Sequence, residues 1–167
     1  RRPPRFFERW RRRFRLATYP SDTLTSDEIL SCLGEWERQD LFVPDVIVVD
    51  YADILTGSAF HKESRDKINS IWSELRGLSQ RWHALVATAT QASAASYTAT
   101  TLNRSHFSND KRKFAHVTAM YGINMTDEEK TLGMQRLNCL ALREGEYSIS
   151  RCVHFAGHLA YNDVAMR

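Results

Sequence analysis

Nowhere in these 167 residues does a lysine follow a glycine: Gly34, Gly57, Gly77, Gly122, Gly133, Gly145 and Gly157 are followed by Glu, Ser, Leu, Ile, Met, Glu and His. The chain thus holds no Gly-rich loop ending in Gly-Lys-Ser/Thr, the arrangement whose backbone N–H groups cradle a phosphate. Cysteine is scarce as well. Cys32, Cys139 and Cys152 are odd in number, far apart and never paired as Cys-x-x-Cys. That excludes a disulfide framework and a zinc ribbon, and leaves reduced, half-buried thiols. No apolar run approaches the about 18 residues that a membrane helix needs, and no stretch resembles a signal peptide, so a cytoplasmic protein without membrane contact is expected. No internal repeat is evident.

What is present is ordinary for a folded domain: 43% hydrophobic and 26% charged residues, in a length that can bury one core. The charge is unevenly spread. Eight arginines against Glu8 give the first 15 residues +7, while the whole chain carries +3. This basic lead-in, 1–15, has two readings that stay open. It is either a patch for nucleic-acid phosphates or the exposed side of a helix whose Phe6, Phe7, Trp10 and Phe14 form a buried stripe. The chain opens on Arg1 and is expected to be a piece of something longer.

Phe14 to Tyr19 has the composition of a short strand, stopped by Pro20. In "TSDEILSCLGEW", Thr25 and Glu28 have the spacing of a capping box, and Ile29, Leu30, Leu33 and Trp36 recur with a helical period. Val46 to Asp50 predicts a strand. Ile68, Ile71, Trp72, Leu75, Leu78 and Trp82 predict the buried stripe of a second helix, and "HALVATATQ" another apolar strand. Strand, helix and strand in alternation is the grammar of a parallel sheet with crossover helices. Ligands of such sheets bind beyond the carboxyl ends of the strands, so Asp50 and Gln91 are expected on one rim.

From Ala92 to Ser108 the chain turns to Ala, Ser, Thr and Asn, a polar loop that leads into Lys111, Arg112 and Lys113. "FAHVTAMYGIN" then reads as a strand, and "TDEEKTLG" as a short helix capped through Thr126 and Glu129. "QRLNCLALREGEYSISRCVHF" reads as two strands joined through the Glu144-Gly145 turn, an antiparallel hairpin closing the sheet.

Asp50 poses the chemical question. An ionised carboxylate on a buried strand costs several kcal/mol unless a cation or donors meet it. An acid at the tip of an apolar strand is suited to hold a hydrated magnesium ion against a nucleotide's phosphates, because hard cations prefer carboxylate oxygens and water. The plainer alternative is an acid satisfied by neighbouring backbone N–H groups. His154 and His158 stand four apart, but no Glu completes a hydrolase motif and they fall on a strand and its following turn, so no metal site is assigned to them.

In their order, "DVIVVDYADIL", a helix with Arg65 and "INSIWSELRGLSQ", and "HALVATATQ" resemble the second half of the RecA-like ATPase core, most closely that of DnaB-type replicative helicases and their phage relatives. The resemblance runs on through "YGINMTDEEKTLGMQRLNCLALREG" and covers about Phe14 to Val153. It implies an α/β fold with a mostly parallel sheet, crossover helices and a C-terminal antiparallel hairpin, its core incomplete. It implies ATP and Mg2+ as cofactors, and single-stranded DNA and identical subunits in a ring, a hexamer, as partners.

The resemblance also implies roles for particular residues. Asp50 would organise Mg2+ through its water shell, with Asp53 and Gln91 beside the nucleotide. Gln91 would sense the γ-phosphate and relay its loss to the DNA-binding loop. That loop, 92–113, would track single-stranded DNA with Arg104, Lys111, Arg112 and Lys113. Arg143 would be an arginine finger for the neighbouring subunit's ATP, although the Lys that the family places two residues earlier is Ala141 here.

The family's phosphate loop and catalytic glutamate precede the region of resemblance. These 167 residues alone are therefore expected not to hydrolyse ATP and, with strand edges uncovered, to be poorly soluble. Two other readings stand beside the helicase: a RecA-type recombinase on the same core, and a non-catalytic RecA-like module that binds DNA or a partner through Arg1 to Arg15.

Overall fold

The structure, a computed structural model, describes residues 13–57, 64–107 and 111–156. The helix expected over 1–15 lies outside the described residues as far as residue 12, and 13–15 carry no helix. His158 lies outside them too. Two compact units follow one another along the chain, 1–90 and 91–167.

In the first unit, α1 (Ser26–Asp40) starts at the expected capping box. The Glu28 N–H donates to Thr25 Oγ1 at 3.2 Å, and the Thr25 N–H donates to Glu28 Oε2 at 2.8 Å, so two otherwise unpaired donors are satisfied reciprocally. The helix buries Ile29 and Leu33 and ends on Leu41, whose left-handed backbone (φ 53°) sends its N–H back to the Glu37 carbonyl at 3.0 Å. Next come β1 (Val46–Val49), a 3-10 turn (Ala52–Ile54), α2 (Ser64–Trp82) and β2 (Leu85–Thr88). β2 lies parallel to β1, from Val46 opposite Leu85 to Val49 opposite Thr88, so β1, α2 and β2 form the expected crossover unit. α2 buries Ile71, Trp72, Leu75 and Leu78. Its Glu74 accepts hydrogen bonds from the hydroxyls of Ser26, at 2.6 Å, and Ser70, at 2.5 Å, which ties the start of α1 to α2.

Two expectations for this unit are corrected. Residues 14–19 form no strand, and Phe14, Leu16 and Tyr19 remain 45%, 62% and 46% exposed. Strand propensity reflects side chains packed on a pleated surface, and these side chains stay largely in solvent. The neighbouring Arg15 instead pairs with Asp40 at 2.8 Å and lies over the Phe42 ring at 5.3 Å. Nor is β1 buried on both faces. Ile47 and Val49 are each 8% exposed, whereas Val46 and Val48 are 52% and 72% exposed.

The second unit opens with 3-10 turns at Ala94–Ser96 and Arg104–Phe107, then α3 (Lys113–His116), β3 (Ala119–Asn124), α4 (Asp127–Thr131), β4 (Met134–Leu142) and β5 (Cys152–Ala156). Phe114 to His116 are helical, not part of the strand, and the Phe114 ring meets Phe107 edge-on at 5.8 Å. The predicted capping box of α4 is present at Thr126 and Glu129. β3, β4 and β5 pair antiparallel in that order, and a bulge at Met120/Tyr121 sets Met120 against Ala141 and Tyr121 against Cys139.

The hairpin is thus where it was expected, but it belongs to a three-stranded antiparallel sheet and does not close the parallel pair. The reason lies between β2 and β3. Parallel neighbours are joined by a crossover of about a dozen residues or more, usually a helix, and the α-helix in this connection, α3, has 4 residues. Phe107, Met120, Leu140 and Ala141 form the apolar core of this unit.

Candidate functional site

The first candidate site is the carboxyl tip of the β1–β2 pair. Asp50 follows the last residue of β1, and its peptide bond to Tyr51 is cis. The side chain is exposed, and its carboxylate makes no hydrogen bond or ion pair among the described residues. The desolvation cost that the sequence argument assigned to it is therefore absent, and the neighbouring backbone N–H groups do not satisfy it.

The turn after Asp50 is held by β2. The Thr88 hydroxyl donates to the Val49 carbonyl at 2.8 Å and accepts from the Ala52 N–H at 2.9 Å. The Thr90 hydroxyl donates to Asp53 Oδ2 at 2.5 Å. Asp53 is thereby fixed to the end of β2, while Asp50 is left to solvent. Gln91, three residues beyond β2, is exposed.

The second candidate is the segment 92–113, which is far less loose than its composition suggests. Two buried amides grip its middle. Asn124 Oδ1 accepts the Leu102 N–H at 2.6 Å, Asn124 Nδ2 donates to Asn138 Oδ1 at 2.9 Å, and Asn138 Nδ2 donates to the carbonyls of Leu102, at 2.9 Å, and Ile149, at 3.0 Å. Beside them Arg136 reaches the Thr100 carbonyl at 2.6 Å and the Thr101 hydroxyl at 3.1 Å, while holding Glu129 through two N–H···O contacts at 2.5 and 3.2 Å. The Arg136 hydrogen bond, then the Thr126 backbone N–H, keep the Glu129 carboxyl below its usual range. At the other end of the segment the Ser93 N–H donates to the His106 carbonyl at 2.8 Å.

The cations expected on DNA divide into different environments. The Arg104 guanidinium donates to the Leu140 carbonyl at 2.8 Å and to the Tyr147 hydroxyl, and lies over the rings of Phe114 and Tyr147 at 5.4 and 6.0 Å. Lys113 is 7% exposed. Lys111 and Arg112 are exposed. Arg143, just past β4, donates from Nε to the Val117 carbonyl at 2.9 Å and from a terminal nitrogen to the Ala115 carbonyl. Among the described residues no group of three or more His, Cys, Asp or Glu could hold a metal ion, and no helix is long and apolar enough to cross a membrane.

Sequence reasoning missed Thr88, Thr90, Asn124, Arg136 and Asn138. For the amides a signal existed. Asn is depleted in strands, and Asn124 falls two residues from Gly122 and four from Met120, on the face that β3 buries.

No protein-family model matches the chain, and no curated protein matches it. Solved structures do. One is a DnaB-like replicative helicase described with its interactions with primase, at a TM-score of 0.68 and 13% identity over 80% of this chain and 32% of that one. Another was solved as an isolated ATPase domain, at a TM-score of 0.68 and 14% identity over 80% of this chain and 48% of that one. At such identities the likeness establishes the fold. The chain spans about a third and about half of the lengths of these two matches.

Proposed function

We propose that this chain is part of an ATP-driven, DnaB-like motor for single-stranded DNA, working in a ring of identical subunits, a hexamer. It would contribute the strand that organises magnesium and the loop that meets DNA. One observation carries the reading: a chain with the fold of a DnaB-like helicase and of an ATPase domain leaves the acid at the tip of its parallel pair exposed and unengaged, while the second acid nearby is tied to Thr90.

That arrangement fits Mg2+, which keeps several of its waters and takes one or two carboxylates. Asp50 would hold the ion through water, and the ion would neutralise phosphate charge when bound. Thr88 and Thr90 hold the turn that carries both acids. The phosphate cradle would come from residues other than these 167, since no Gly-Lys pair occurs among them. Gln91 would report the γ-phosphate, and Arg143 would act on a neighbouring subunit's nucleotide after releasing the carbonyls of Val117 and Ala115.

In the intact protein Asp50→Asn should abolish magnesium-dependent ATP hydrolysis and leave the thermal midpoint unchanged, because the exposed carboxylate bonds to nothing described. Turnover equal to wild type would remove Asp50 from the site and the motor reading with it.

A further inference from the structure

Within the segment 92–113 one turn stands apart. Residues 94–99 lie between two anchored ends, the Ser93–His106 backbone bond on one side and the grip of Arg136, Asn124 and Asn138 on residues 100–102 on the other. The turn is itself closed by short-range bonds, from the N–H of Tyr97 to the Ala94 carbonyl at 3.1 Å and from that of Ala99 to the Ser96 carbonyl at 3.1 Å. At its apex Tyr97 is 86% exposed, the most exposed aromatic side chain among the described residues. Its ring makes no ring, cation or hydrogen-bond contact with any of them. Its neighbours Ala94, Ala95, Ser96, Thr98 and Ala99 are too small to cover its faces.

We propose that Tyr97 is the stacking platform on which this turn receives a base of single-stranded nucleic acid. The inference rests on the DNA-motor reading and deepens it by naming what the loop touches. Three features point to a base and not to phosphate. Between Gln91 and Asn103 the sequence has no charged residue at all. Arg104, the first cation after it, is committed to Leu140 and Tyr147, and Lys113 is buried. The other aromatic of the polar stretch, Phe107, is 7% exposed and packed against Phe114. A ring on a turn pinned at both ends also loses little freedom when a base lands on it.

The test compares wild type, Tyr97→Phe and Tyr97→Ala of the intact protein by fluorescence anisotropy, on oligo-dT and on an abasic strand of equal length, across a salt series. Stacking predicts that Tyr97→Ala weakens oligo-dT binding about 5- to 100-fold and Tyr97→Phe less than about twofold. All three proteins should bind the abasic strand alike, with equal salt slopes, because no phosphate contact has changed. Oligo-dT binding untouched by Tyr97→Ala overturns the platform and leaves the motor reading standing. Equal losses on the abasic strand, or from Tyr97→Phe, overturn it as well. A changed oligomeric state of Tyr97→Ala in light scattering would assign the ring to a contact between copies. Wild type that binds no strand removes the DNA-motor reading and the platform together.

Discussion

Asn124 and Asn138 bond amide to amide at 2.9 Å across the β3–β4 ladder, both buried, and between them they hold both backbone polar groups of Leu102. A polar pair in a core is stable only when its donors and acceptors are matched, and here the loop supplies the matching groups. The pair is the reason that a stretch with loop composition has a defined path.

Replacing Asn138 with Leu, similar in size, would strand the carbonyls of Leu102 and Ile149 without their donor. We expect a loss of about 3 kcal/mol in denaturant unfolding and faster hydrogen exchange at the Leu102 amide. Gly122→Ala should act on the same pair, because an added Cβ would stand 2.6 Å from Asn138 Oδ1 and 3.1 Å from Leu102 Cβ. Its expected cost is about 1–3 kcal/mol. Unchanged exchange at Leu102 in both variants would mean that the loop is held by something else.

Glu129 supplies a pH dependence. Its carboxyl is held below the ordinary value of 4.5, chiefly by Arg136. A depressed folded-state pKa contributes stability that is full above the unfolded value and is lost as pH falls through the folded value. Wild type should therefore lose stability progressively below pH 4.5, and Glu129→Gln should show a flatter profile over that acid window. Parallel profiles in denaturant titrations would remove the Arg136 pair as the cause.

Leu41 caps α1 in the left-handed region with its side chain 87% exposed. The conformation costs a non-glycine residue about 1 kcal/mol, and the exposed side chain returns almost no burial. Leu41→Gly should raise the thermal midpoint slightly, by the equivalent of about 0.5–1 kcal/mol.

The basic run 111–113 should not behave as a unit. Lys111→Glu, at an exposed position, should weaken single-strand binding and flatten its salt dependence, with folding unaffected. Lys113→Glu, at a site 7% exposed, should cost about 3 kcal/mol of stability whatever the DNA does. Equal thermal midpoints for the two variants would contradict this division.

The local signals that survived in the structure are those decided within a few residues. Both capping boxes and the buried stripe of α2 depend on neighbours three and four apart, and they formed as their spacing predicted. Strand assignments depend on what packs alongside. Residues 14–19 and Phe114 to His116 were misread because an apolar pattern does not reveal whether a partner strand exists. Sheet membership failed for β3 to β5 because composition does not distinguish a parallel return from an antiparallel one. At the candidate site, Asp50 and its strand were legible from an apolar run ending in an acid. The hydroxyls of Thr88 and Thr90 were not, since their bonds join segments 36 to 39 residues apart. The arginines looked interchangeable as charges, and only packing separates Arg104, latched onto Leu140 and Tyr147, from the exposed Arg112.

Val46 and Val48 stand on the uncovered side of β1, with Leu85 63% exposed on the strand beside them. Solvent additives should therefore move this chain in opposite directions. Sulfate or phosphate, excluded from apolar surface, should drive these valines together between molecules and bring on precipitation early, whereas low concentrations of urea should clear the solution well before the helices melt.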